Sequence, residues 1–90
     1  MCVRKDFIIN NEAGIHARPA TAFVQAISDY ESEINVYNLD TGGVANGRSI
    51  ISILMLAVPN GAKIRLEIDG YDEQEVLDTL SNLIENNFNE

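Results

Sequence analysis

The residues best suited to chemistry in this sequence lie in positions 14–20 (GIHARPA), which contain the only histidine of the chain, His16. A neutral imidazole ring carries a nucleophilic nitrogen. Arg18, two residues further on, offers a planar guanidinium whose N–H groups match the oxygens of a phosphate. The two residues together indicate a site where the imidazole carries a phosphoryl group and the guanidinium binds its oxygens.

The position of His16 relative to a predicted helix favours the same chemistry. Helical spacing begins at Ala17, which places His16 at the N-cap and Pro19 in the first turn, where a proline is tolerated. The first N–H groups of a helix have no acceptor within the helix, so we expect those of Ala17 and Arg18 to point at an anion on the ring. The helix dipole adds about 0.3–1 kcal/mol to this attraction at an exposed terminus.

Spacing alone leaves a plainer interpretation of His16 open. A lone histidine usually lines a loop or ends a helix, although serine, threonine, aspartate and asparagine are better caps. A metal site is disfavoured, because the chain has no second histidine and a single cysteine, Cys2. That cysteine permits no internal disulfide. We therefore expect neither a metal nor another cofactor.

Composition bounds the class of protein. Ninety residues are enough for a single domain, which we assign to residues 1–90. The net charge of the chain is −8. The acidity lies in residues 31–90, and an acidic domain is poorly suited to nucleic acid or to anionic lipid. The sequence has no signal-peptide pattern and no apolar run that spans a bilayer. We expect a cytoplasmic protein that binds no nucleic acid and does not insert into a membrane.

Seven elements are predicted to position the site, in the order β-α-β-β-α-β-α. Alternating apolar residues predict strands at about 3–9, 34–37, 44–45 and 64–69. Helical spacing predicts helices at roughly 17–28, 50–56 and from 72 onward, the last with Val76, Leu77, Leu80, Leu83, Ile84 and Phe88 as its apolar stripe. Each strand has at most one apolar face, so we predict a two-layer α+β sandwich with an antiparallel sheet.

A second candidate site precedes the middle helix. Ser49 is placed to be its N-cap, and a phosphate on that serine would also be tolerated at a positive helix end. The helix is apolar nearly all round, and a short helix on one sheet cannot bury every side. We expect Ile51 and Leu54 to be exposed as a docking surface for a partner. Arg48 and Ala20 are predicted to belong to the same docking surface.

The stretch GIHARPA closely resembles the active-site motif of HPr, the family of histidine-containing phosphocarriers of the bacterial phosphoenolpyruvate:sugar phosphotransferase system. Chain length, element order and the motif NGRSI at residues 46–50 extend the resemblance over essentially the whole chain. It implies an open-faced β-sandwich, with a four-stranded antiparallel sheet covered on one side by three helices. It also implies that His16 takes a phosphoryl group on Nδ1 from phosphorylated enzyme I and passes it to IIA domains of sugar permeases, with Arg18 as the active-site arginine.

The resemblance also implies a regulatory role for Ser49. In the Gram-positive branch of the family, the matching serine is phosphorylated by an ATP-dependent HPr kinase/phosphorylase, and the product acts with a catabolite-control transcription factor. We therefore expect a monomeric covalent carrier without enzymatic turnover of its own, regulated at Ser49. The alternative is a binding module for catabolite repression that is switched by phosphorylation of Ser49.

Overall fold

The computed structural model describes residues 2–90 and contains the seven predicted elements in the predicted order. The strands are β1 (Cys2–Ile8), β2 (Glu33–Asn38), β3 (Gly43–Asn46) and β4 (Lys63–Asp69), and the helices are α1 (Ala17–Ala26), α2 (Ile50–Met55) and α3 (Glu73–Glu85). The strands form one antiparallel sheet in the order β1-β4-β2-β3. The predicted α+β open-faced sandwich is thus confirmed. Within the described residues, no helix is long and apolar enough to cross a membrane.

The buried face of the sheet is organised around the central strand β4. Ile64, Leu66 and Ile68 are completely buried, and each lies opposite a buried residue of β2. Phe7 of β1 is paired with Ile64, and Val36 of β2 is paired with Leu66. Every second residue of β4 therefore enters the core under the helices, which is what its strict alternation predicts.

The other face of the sheet carries charges that are paired across strands. Arg65 of β4 forms two hydrogen bonds with the Asp6 carboxylate, at 2.7 and 3.0 Å, and Arg4 binds Glu67 at 2.9 Å. The hydrogen bond from Arg65 holds the pKa of Asp6 below its ordinary value. This face of the sheet is solvated. The candidate site residues His16 and Ser49 lie at the ends of helices, which cover the opposite face.

The segment after α3 differs from the prediction. Phe88 does not continue the apolar stripe of the helix, because α3 ends at Glu85. Asn87, Phe88 and Asn89 instead have φ values of 53°, 57° and 62°, in the left-handed region that asparagine tolerates better than most residues. The side chain of Phe88 is buried, and this anchors the turn so that Glu90 reaches the start of α1.

Candidate functional site

The loop between β1 and α1 is held in place by a glycine. Gly14 has a φ of +67°, and a Cβ at this position would lie 2.2 Å from the carbonyl oxygen of Val58 and 2.8 Å from Cα of Pro59. The next residue, Ile15, is buried and donates its N–H to the same Val58 oxygen at 2.9 Å. Only glycine fits this close approach, which fixes the residue that precedes His16.

His16 occupies the N-cap of α1, as the sequence predicts. Its carbonyl oxygen accepts the N–H of Ala20 at 3.0 Å, and its side chain makes no capping hydrogen bond. The imidazole is 43% exposed. In the part of the chain that the structure describes, the N–H groups of Ala17 and Arg18 have no acceptor. An anion at this helix end would therefore meet two unpaired donors beside the imidazole ring.

Ala20 does not belong to the surface, and its predicted docking role is wrong. Its exposed fraction is 0%, since Ala20, Phe23 and Ile27 share the face of the helical segment that packs in the core. Residues at positions i, i+3 and i+7 of a helix lie on one face. The same side of the first turn buries Pro19, whereas Ala17 and Arg18 remain exposed.

A carboxylate that the sequence did not indicate lies beside His16 and Arg18. Oε1 of Glu90 is 3.4 Å from Nε2 of His16, and Oε2 is 3.9 Å from Nε of Arg18. The side-chain amide of Asn11 donates to Oε1 of Glu90 at 3.2 Å. Asn11, His16 and Glu90 line a cleft of about 430 Å³, together with Asn10, Glu12, Ala13 and Asn87. No local pattern predicts this arrangement, because it depends on the left-handed turn after α3.

Ser49 is the N-cap of α2, as predicted. Its Oγ accepts the N–H of Ser52 at 3.1 Å, and its carbonyl oxygen accepts the N–H of Ile53 at 3.0 Å. Ser52 in turn accepts the N–H of Asn46 at 2.9 Å, which ties the end of β3 to the helix. The hydroxyl of Ser49 is half-buried and already has a structural role at the helix end where a phosphate would be tolerated.

Arg48 directs its guanidinium toward backbone carbonyls of its own chain, and its docking role stays a prediction. Its guanidinium donates to the carbonyl oxygen of Ile27 at 3.0 Å, to that of Tyr30 at 2.7 Å and to that of Ser32 at 2.8 and 3.1 Å. These three carbonyls belong to the end of α1 and the loop that leads to β2. The planar array of donors is used to hold that loop.

The same loop is held from its other side by Asp72. This buried carboxylate accepts the hydroxyl and the N–H of Ser32, and the N–H of Glu31 at 2.8 Å. The hydroxyl of Ser32, followed by the N–H of Glu31, holds the pKa of Asp72 below its ordinary value. Asp72 and Arg48 together fix the path of the chain between α1 and β2.

Three apolar side chains of α2, which we call the apolar patch, face solvent: Ile51, Leu54 and Met55. The exposure of Ile51 and Leu54 agrees with the sequence prediction, while Ile53 is buried. Met55 was missed, although at 81% it is more exposed than the other two. The signal was its spacing of four residues from Ile51, which places both on one side of the helix.

Within residues 2–90, no group of three or more histidine, cysteine, aspartate or glutamate side chains is arranged to hold a metal ion.

The chain resembles known proteins over nearly its whole length. Residues 3–86 match the family model PTS-HPr, described as the PTS HPr component phosphorylation site. Phosphocarrier protein HPr from Neisseria meningitidis is 39% identical over 88 residues, which are 98% of this chain and 97% of that protein. A multiphosphoryl transfer protein from Salmonella typhimurium is 41% identical over 88% of this chain, but the chain spans only 21% of its length.

Solved structures agree with this assignment. HPr-C-His from Thermoanaerobacter tengcongensis has a TM-score of 0.90 at 38% identity and covers 98% of this chain and 97% of its own. Crh, the catabolite-repression protein from Bacillus subtilis, has a TM-score of 0.74 at 30% identity and covers 94% of this chain and 95% of its own. With histidine at the N-cap of α1 as predicted, the elements in the predicted order and a family match over residues 3–86, the chain belongs to the HPr family of the phosphotransferase system.

Proposed function

We propose that the chain is a cytoplasmic phosphocarrier that receives a phosphoryl group on His16 from phosphorylated enzyme I and delivers it to IIA domains of sugar permeases. The observation that carries this proposal is the imidazole of His16, which is partly exposed at the N-cap of α1 beside unpaired N–H groups. The family model, whose description names a phosphorylation site, supports the same reaction. The chain acts as a stoichiometric carrier, without turnover of its own.

The proposed reaction needs one nucleophilic atom and no metal. Nδ1 of His16 attacks the phosphorus, a bond from Nδ1 to phosphorus forms, and the bond to the donor breaks with its electron pair leaving on the donor. The ring keeps its proton on Nε2 and becomes positively charged. The carboxylate of Glu90, 3.4 Å from Nε2, stabilises that charge. Delivery to the acceptor reverses these steps.

Arg18 and the helix end stabilise the transferred group. The guanidinium of Arg18 is 82% exposed and lies 3.9 Å from Glu90, so it is free to turn toward phosphate oxygens. The N–H groups of Ala17 and Arg18 are oriented by the first turn of α1 and need no rearrangement to accept an anion. The apolar patch supplies the docking surface for both donor and acceptor.

A second function at Ser49 is supported by the likeness to Crh, a catabolite-repression protein. In this proposal HPr kinase/phosphorylase phosphorylates Ser49, and the modified chain binds a catabolite-control transcription factor. The phosphate would sit at the positive end of α2 and next to the apolar patch, where added negative charge opposes an acidic partner. The alternative, a chain that is mainly such a regulatory module, makes the His16 reaction secondary.

The two functions are separated by labelling. Incubation with enzyme I and labelled phosphoenolpyruvate is expected to give one acid-labile phosphate per chain, which is lost in His16→Ala. Incubation with HPr kinase and ATP is expected to give an acid-stable phosphate, which is lost in Ser49→Ala. In the first assay Arg18→Ala is expected to slow the labelling. Lys63→Ala, which removes an exposed base of β4, is its control. Label that survives in His16→Ala would refute the carrier proposal.

A further inference from the structure

Asn11 is a buried polar residue whose side chain is only partly satisfied. It is 4% exposed, and its amide nitrogen donates one hydrogen bond, to Oε1 of Glu90 at 3.2 Å. Its own side-chain oxygen is buried and has no hydrogen-bond partner among the described residues. A buried acceptor without a partner lowers stability, so an apolar residue would serve the fold better at this position.

The orientation of the Asn11 amide is set by the charge of Glu90. If the amide were turned by 180°, its oxygen would face a carboxylate oxygen at hydrogen-bond distance, and the two acceptors would repel each other. The amide donor therefore faces the carboxylate, and the unpaired oxygen is the consequence. The backbone of Asn11 is fixed as well, because its carbonyl oxygen accepts the N–H of Gly14 at 2.9 Å.

The carboxylate oxygen that Asn11 binds is also the one next to the imidazole. Oε1 of Glu90 lies 3.4 Å from Nε2 of His16. A carboxylate at this nitrogen favours the tautomer with the proton on Nε2, which leaves the lone pair on Nδ1. We infer that Asn11 is a positioning residue for His16: it fixes the Glu90 carboxylate, which in turn orients the ring and keeps Nδ1 free to accept a phosphoryl group. This inference rests on the proposed carrier function.

The test combines two measurements on single and double variants. The tautomer of His16 is read from the ¹⁵N shifts of the ring in the unphosphorylated chain, at a pH where the ring is neutral. The rate of phosphoryl transfer from phosphorylated enzyme I is measured with the same proteins. The variants are Asn11→Ala, Asn11→Asp, Glu90→Ala and the double variant Asn11→Ala/Glu90→Ala. Asn10→Ala is the matched control, because this exposed asparagine lines the same cleft.

Asn11→Ala is expected to lower the Nε2–H fraction of His16 toward that of an unconstrained imidazole, and to slow transfer by about two- to tenfold, the effect of one hydrogen bond. Asn11→Asp should have the larger effect, because a second carboxylate repels Glu90. In the Glu90→Ala background, the change at Asn11 should add nothing further. If Asn11→Ala does not fold, Asn11→Asp and Glu90→Ala still report on the tautomer.

The inference is wrong if Asn11→Ala matches Asn10→Ala in both measurements, or if its effect persists in full when Glu90 is alanine. A loss of thermal stability with an unchanged tautomer would also overturn it, since that is the result of a purely structural role. Failure of the carrier proposal is a separate result: the unsubstituted chain would then take no label on His16. The tautomer measurement needs no phosphoryl donor and decides on Asn11 by itself.

Discussion

Replacing Arg48 by methionine tests whether this residue holds the fold or binds a partner. Methionine keeps the apolar stem of the side chain and removes every donor. The guanidinium makes four hydrogen bonds, at 2.7–3.1 Å, to the carbonyls of Ile27, Tyr30 and Ser32. Because the side chain is only half-buried, water replaces part of each lost bond, and we count about 1 kcal/mol for each carbonyl.

The sum predicts that Arg48→Met lowers the free energy of unfolding by about 2–4 kcal/mol, a large part of the stability of a small domain. A loss of this size lowers Tm by roughly 10–20 °C in a chain of this length. Urea unfolding followed by circular dichroism measures the change directly. Arg48→Lys should recover part of the loss, because an ammonium reaches fewer of the three carbonyls.

Arg18→Met is the matched control for stability. Its guanidinium is 82% exposed and its ion pair with Glu90 spans 3.9 Å, so the free energy of unfolding should change by less than about 0.5 kcal/mol. The rate of phosphoryl transfer should be affected the other way round. Arg18→Met should transfer slowly, and Arg48→Met should transfer at a near-normal rate at temperatures well below its Tm. If Arg48→Met unfolds like the unsubstituted chain but transfers poorly, Arg48 acts in docking and does not hold the fold.

Three further predictions concern the loop, the acid stability and the apolar patch. Gly14→Ala should lower Tm more than Gly61→Ala, because both positions have positive φ but only the first Cβ meets backbone atoms. Asp72 has a lowered pKa in the fold, so its contribution to stability is present above the ordinary aspartate pKa of 3.8 and is lost as the pH falls through the lower folded pKa. The stability difference between the unsubstituted chain and Asp72→Asn, followed by urea unfolding, should therefore shrink below that pH; a constant difference would contradict this assignment. Met55→Ser should raise the KM for transfer from enzyme I by about fivefold, roughly 1 kcal/mol, with Tm unchanged, whereas Ile8→Ser, an exposed apolar residue of β1, should not.

Much of the fold was predictable because it is encoded in local patterns. The alternation in β4 reports a strand with one buried face, and the register confirms it residue by residue. The spacing of Ala20 and Phe23 reports the buried face of α1. The same spacing contradicts a docking role for Ala20, so that error came from placing a motif residue on the surface without applying its periodicity.

Arg48 shows why the surface was harder to predict than the core. A basic residue beside a helix end has the same local sequence whether it faces a partner or turns back on its own chain. Which of the two occurs depends on the position of the backbone carbonyls in the loop after α1. Asp72, at the start of α3, fixes that position. The exposed positions of α2 were partly predictable, because the helix is short and only Ile53 among its residues is fully buried.

The sequence by itself determined the position of the proposed nucleophile and its setting. His16, Arg18 and the helix that begins at Ala17 are neighbours along the chain, and their geometry follows from the rules of a helix N-terminus. Only the tertiary structure decided that Asn11 and Glu90 join them. These two residues meet because Phe88 is buried in a left-handed turn that brings Glu90 back to the start of α1. Contacts of this kind depend on packing between distant segments, which periodicity and capping do not encode.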